Sequence, residues 1–173
     1  MTDQAFVESE MTFGPFSPGH CFRIETSQTY LVLQNGLKVC EFLLLQESAG
    51  EQKILVVEAK SSSPRPGNAI DLDIYLSDLE EKFANAVSLT IAMVLGRHAA
   101  TNAEVPAPFR DFDQGSAHLV FALIVKGHQA DWLPPLQDAL RKKLHRVTRV
   151  WDPAKCEVVV INDVIARQKN LIQ

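Results

Sequence analysis

The chain reads as one α/β (α+β) domain, a mixed β-sheet flanked by helices. Three observations predict that class. Ile54-Leu55-Val56-Val57 is an unbroken apolar run, as a strand buried on both faces of a sheet requires. A helical stripe follows, with Leu72, Leu76, Leu79, Phe83, Val87, Thr90 and Val94 recurring at spacings of three and four. Beyond it, strand-like and helix-like segments alternate to the end of the sequence, which suits a sheet with helices laid against it. At 173 residues, 46% hydrophobic and 22% charged, the chain has the size and composition of one globular domain that folds without a metal or disulfide.

Taken in order, residues 1–20 carry no periodicity, and Thr12-Phe13-Gly14-Pro15-Phe16-Ser17-Pro18-Gly19 predicts an irregular, turn-rich segment with its two phenylalanines packed onto the body. Residues 22–33 are grouped with the extended segments, although their polar middle leaves the type open. Asn35-Gly36 is a hairpin signal, because both positions tolerate positive φ. Strands are expected over residues 39–46 and 53–59, joined by a reversal at 47–51. Residues 61–68 form a loop broken by Pro64, Pro66 and Gly67, and a long helix is expected over 73–97. Asp78, Glu80, Glu81 and Lys82 are assigned to its outer face. Its second half, residues 87–95, is apolar nearly all round and is expected to be covered by the protein or a partner. Residues 99–115 read as loop, 118–125 as strand, 132–148 as a second helix, 157–162 as a last strand and 163–173 as a short closing helix.

Several function classes are disfavoured. Residues 1–10 are acidic and polar, unlike a secretory signal, and the longest apolar region is too short to span a bilayer. A cytoplasmic protein with no membrane association is expected. Cys21, Cys40 and Cys156 are far apart and form no CxxC pair, in keeping with a reducing compartment. His20, His98, His118, His128 and His145 lack zinc-ligand spacing. No Gly-rich phosphate loop and no G-x-S-x-G signature is present. The net charge of -4 argues against coating nucleic acid through bulk charge, but leaves room for a local basic groove.

The feature that most needs a reason is Glu58-Ala59-Lys60. Two charged residues, two apart, end a strand that is otherwise apolar, so both project from one face of a buried sheet. Glu41 opens the neighbouring apolar strand. If the two strands pair through the 47–51 reversal, Glu41 comes to lie beside Glu58, with Lys60 close by. The plain alternative is a solvated strand end with a weak ion pair of about 0–1 kcal/mol.

Glu41, Glu58 and Lys60, followed by a helix and another strand, resemble in order and spacing the PD-(D/E)xK nuclease superfamily, over residues 22–125. The resemblance implies a restriction-endonuclease-like core and a metal-dependent phosphodiesterase. Glu41, Glu58 and Lys60 are then its catalytic residues. Glu41, Glu58 and the Ala59 carbonyl would hold Mg²⁺ or Mn²⁺. Two departures stand out: the first acid is a glutamate preceded by Cys40, and the additional N-terminal glutamate of many members has no unique counterpart. Glu25 is the candidate, with Glu8 and Glu10 behind it.

For nucleic acid, Arg65 beside Ser61-Ser62-Ser63 and a basic face of Lys142, Arg146 and Arg149 are the candidate phosphate contacts, against the alternative of a turn and a solvated helix face. Two functions follow. One is a Mg²⁺-dependent DNA endonuclease of repair or phage defence. The other is an inactive nuclease-fold subunit that docks on a larger protein complex. A homodimer fits either.

Overall fold

The apolar run around Val56 forms the centre of a five-stranded mixed sheet. The structure is a computed structural model, and it describes residues 4–48, 50–65, 67–98, 104–111 and 115–173. The strands are β3 (Cys21–Phe22), β4 (Phe42–Ser48), β5 (Glu51–Lys60), β6 (His118–Val125) and β7 (Cys156–Asn162), in the order β3-β4-β5-β6-β7. The β3/β4 and β4/β5 pairs are antiparallel, whereas β5/β6 and β6/β7 are parallel. β5 is central and is buried over residues 55–59, which accounts for its continuous hydrophobicity. The fold is thus the expected mixed α+β arrangement. Among the described residues, no helix is long and apolar enough to cross a membrane.

Each face of the sheet has its own core. On one face, Leu43, Leu45, Val56, Phe121 and Leu123 pack against helix α2 (Ala69–Val94) and helix α4 (Leu133–Lys143). On the other face, Phe42, Leu44, Val57 and Ile124 pack under a two-stranded hairpin, β1 (Phe6–Glu8) and β2 (Met11–Phe13), and under helix α6 (Asp163–Gln168). Phe6, Phe13 and Phe16 surround Phe42 there, with centroids 5.1–6.0 Å from its ring.

Helix α2 begins four residues before its expected start because Asn68 caps it, its side chain accepting from the Asp71 amide. It ends at Val94 in a Schellman turn. Gly96, at φ +66, lets the Gly96 amide reach the Met93 carbonyl and the Arg97 amide reach that of Ala92. Val87, Leu89, Thr90 and Met93 of its second half are buried, whereas Ile91 and Leu95 are exposed, so the covering expected there is partial.

Five expectations are corrected. Of residues 22–33, only Phe22 belongs to a strand. After β3 comes a short 3-10 turn (Ile24–Thr26) and then helix α1 (Gln28–Leu33), started by Ser27 and by the distant Glu104 carboxylate, which accepts from the Gln28 and Thr29 amides at 2.7 and 3.1 Å. Asn35-Gly36 is a turn, with Gly36 at φ +79, but it connects α1 to the approach of β4 rather than two strands. The irregular N-terminus contains the β1–β2 hairpin, whose tip residues Ser9 and Glu10 both have positive φ, as a type I′ turn needs.

The helix expected over 132–148 breaks at Leu144, where ψ is 1°, into α4 and helix α5 (His145–Val150). β-Branched Val147 and Thr148 give the second part weak helical preference. The 99–115 loop contains helix α3 (Ala107–Asp111), while residues 99–103 and 112–114 lie outside the described set, as does Pro66.

The α2–sheet contact centres on Phe83, fully buried and edge-on to Phe121 at 5.4 Å. Phe83→Ala is expected to destabilise the protein by about 3–5 kcal/mol, read as a lower urea midpoint with unchanged slope.

Candidate functional site

The β4/β5 register decides the geometry. Phe42 lies opposite Val57. The paired register ends there, because the Glu41 amide, one residue earlier, also turns to Val57 and donates to its carbonyl at 3.1 Å. Alternation along β5 turns Glu58 and Lys60 to the side of Val56, the face that α2 covers.

Glu58 is wholly buried. Its Oε1 accepts two ammonium groups, Lys60 Nζ at 2.8 Å and Lys82 Nζ at 2.6 Å. Among the described residues its Oε2 has no hydrogen-bond partner. Lys82 comes from the middle of α2 and was assigned to the solvated face; it belongs instead to the buried stripe of Tyr75, Leu79 and Ala86, at i, i+4, i+7 and i+11. Burial alone would lower the pKa of Lys82, but the Glu58 carboxylate overrides it and raises it, holding the ammonium charged. Burial, reinforced by Glu58, pushes up both the Cys40 thiol and the Tyr75 hydroxyl. Tyr75 Oη is also buried without a hydrogen-bond partner among the described residues.

Beside this pair lies a second acidic group. Glu8 at the end of β1, Glu25 in the 3-10 turn and Glu41 before β4 each present a carboxylate oxygen within 4.8 Å of the others. Glu25 was the leading candidate for the additional acid and Glu8 a weaker one; the structure brings both to Glu41. Glu10 points elsewhere, to Lys126 at 2.7 Å. Burial, the Glu25 hydrogen bond and the Glu58 charge together raise the Glu41 carboxyl from 4.5 to about 9. Burial and Glu25 raise Glu8 as well. The only cationic group set against this trio by contact is Arg23, 4.0 Å from Glu25, among the described residues; its guanidinium lies over the Phe6 ring at 4.4 Å.

The hairpin that carries Glu8 is seated by its neighbour. Ser9 Oγ donates to the Ala59 carbonyl at 2.9 Å, and a carbonyl oxygen so engaged keeps one lone pair. The site therefore presents hard oxygen donors from β1, the 3-10 turn, β4 and β5, a set suited to a divalent cation of the Mg²⁺ or Ca²⁺ type. The partnerless, buried Glu58 Oε2 and the Glu41 carboxyl, raised by burial and by its acidic neighbours, fit a missing positive charge.

The expected phosphate contacts are less concentrated. Arg65 is exposed on the loop after β5. Ser63 Oγ in that loop is 3.2 Å from His128 Nδ1. Lys142, Arg146 and Arg149 are exposed, but the break at Leu144 divides them between α4 and α5, so they do not share one continuous helix face.

No family model matches this chain, and no curated protein or solved structure matches it.

Folding favours protonated Glu41. Its contribution to stability is complete below 4.5 and is lost as pH rises through about 9. Glu41→Gln removes the proton demand and keeps a donor for Glu25. In chelator-treated protein it is expected to match wild type near pH 4 and to be more stable by about 1–3 kcal/mol at pH 8, measured by urea unfolding.

Proposed function

We propose that the chain is a Mg²⁺- or Mn²⁺-dependent phosphodiesterase with a restriction-endonuclease-like PD-(D/E)xK core, cutting DNA in repair or defence. The observation that carries the reading is a wholly buried Glu58, with one oxygen partnerless, Lys60 on the other, and Glu41 near enough to feel its charge. Glu41, Glu58 and the Ala59 carbonyl would hold the cation, with Glu25 and Glu8 as further oxygen donors beside Glu41. Bound there, the ion supplies Lewis acidity toward a phosphate and acidifies a coordinated water.

The remaining roles belong to side chains of this protein. Lys60, the more exposed of the two lysines on Glu58, is positioned to orient the attacking water or to stabilise negative charge developing on the phosphate. Arg65, at the mouth of the same strand end, would meet a flanking phosphate. Lys142, Arg146 and Arg149 would add sequence-independent, salt-sensitive affinity for the DNA backbone.

A second reading, an inactive nuclease-fold subunit that docks on a protein complex or a second copy of itself, is favoured by one observation. Ile91, Leu95 and Trp151 are exposed at a largely apolar cavity of about 360 Å³ between α2, β6 and the end of α5.

Plasmid cleavage separates the two. With Mg²⁺, the wild type is expected to cut, and Lys60→Ala and Glu58→Gln to lose about 10²–10³-fold or more while circular dichroism confirms folding. DNA binding should survive Glu58→Gln and weaken steeply with salt. Cleavage that needs no metal and is unchanged in Glu58→Gln would be contamination, and the enzyme reading would be abandoned.

A further inference from the structure

Two ammonium groups on one carboxylate oxygen, with the other oxygen partnerless, is an uneven arrangement. Nothing in the chemistry of a carboxylate requires it, since each oxygen can accept. The two lysines also differ in how they are held. Lys82 stands in the interior of a 26-residue helix, between fully buried Leu79, Phe83 and Ala86. Its side chain is 18% exposed, and its contact at 2.6 Å has the geometry of a hydrogen bond as well as an ion pair. Lys60 is the last residue of β5, its side chain 26% exposed, and the loop that follows is exposed at Ser61 and Ser62. The two positive charges repel each other at this separation, so the withdrawal of one is eased by the presence of the other.

We propose that Lys82 is the fixed counter-ion of Glu58 and Lys60 the exchangeable one. Lys82 clamps Oε1 and thereby keeps Oε2 turned to the cation, while Lys60 leaves Glu58 to meet the substrate phosphate. Lys82 is thus a positioning residue that acts through Glu58. The fate of Lys60 rests on the phosphodiesterase reading; the division of labour between the lysines does not.

The two roles make opposite forecasts for cation affinity. A lysine that acts only as a nearby positive charge opposes cation binding, so its removal tightens binding. A lysine that positions the ligand oxygen supports binding, and its loss weakens it, typically by about 10–100-fold for a residue supporting a metal ligand. Mn²⁺ titration by calorimetry, with thermal unfolding of the metal-free protein alongside, reads both. Lys82→Met is expected to weaken Mn²⁺ by about 10–100-fold and to lower the melting temperature, and Lys82→Arg to recover most of the affinity. Lys60→Met is expected to bind Mn²⁺ as tightly as wild type or more tightly and to melt close to it, while kcat on DNA falls about 10²–10³-fold at little-changed KM.

Loss of Mn²⁺ affinity in Lys60→Met, or tighter binding in Lys82→Met, overturns the assignment. The Lys60→Met arm decides even if Lys82→Met does not fold. If the wild type binds Mn²⁺ but cuts no DNA, the phosphodiesterase reading falls and the affinities still judge the two lysines. If it binds no Mn²⁺, the melting temperatures judge them: a large drop for Lys82→Met or Lys82→Ala beside a small one for Lys60→Met supports the fixed clamp, and equal drops refute it.

Discussion

A carboxylate buried at the end of an apolar strand constrains much of what surrounds it. Glu58 follows Leu55-Val56-Val57 into the interior, where an ionised group without compensation is costly. Lys82 must therefore reach it from α2, which fixes the rotation of that helix on the sheet and carries Leu79, Phe83 and Ala86 into the core with it. A buried ion pair of this kind is weak support for stability, because a well-packed apolar replacement is often neutral or better, whereas deleting one partner costs about 3–5 kcal/mol. Here a third charge, Lys60, shares the pair, and one carboxylate oxygen goes without a partner. Such an arrangement is expensive as scaffolding and intelligible as a site.

The acids reach that site from separate pieces of chain, and each piece is held by a contact remote from the chemistry. Glu41 is held just before β4 by the bond from its amide to the Val57 carbonyl. Glu25 sits in a 3-10 turn followed by the Ser27-capped start of α1, which Glu104 also caps. Glu8 is held by the hairpin that Ser9 fastens to Ala59. The carboxylates are crowded before any cation is considered, and Glu41 responds by retaining its proton.

How much of this could be read from the sequence followed from how locally each feature is encoded. β5, β6 and the body of α2 announce themselves by apolar runs and by three-four spacing, and the E-x-K at the end of β5 is conspicuous against its apolar background. Pairing through a short reversal then set the start of β4 beside the end of β5, which leaves Glu41 within reach of the Glu58 charge. Lys82 was hidden by the charges before it: Asp78, Glu80 and Glu81 suggested a solvated face, although its spacing from Leu79 and Ala86 placed it on the buried stripe. Helix α1 was obscured because one of its caps, Glu104, lies far along the chain. The β1 and β2 strands are three residues each, too short to show alternation, so Glu8 could be no more than one acid among several.

The hairpin that delivers Glu8 is itself braced by the other end of the chain. Phe13 bridges to Ile172, the Gly14 amide donates to the Leu171 carbonyl, and the Gln173 amide donates to Thr12. Residues 12–14 are thus seated by residues 171–173, far along the sequence. Apart from these bonds, the hairpin is held to the sheet by Ser9 and by its phenylalanines around Phe42. Contacts between segments so far apart in sequence carry a loop-closure cost that local ones do not, so the piece that brings Glu8 to the acidic cluster is expected to order late in folding.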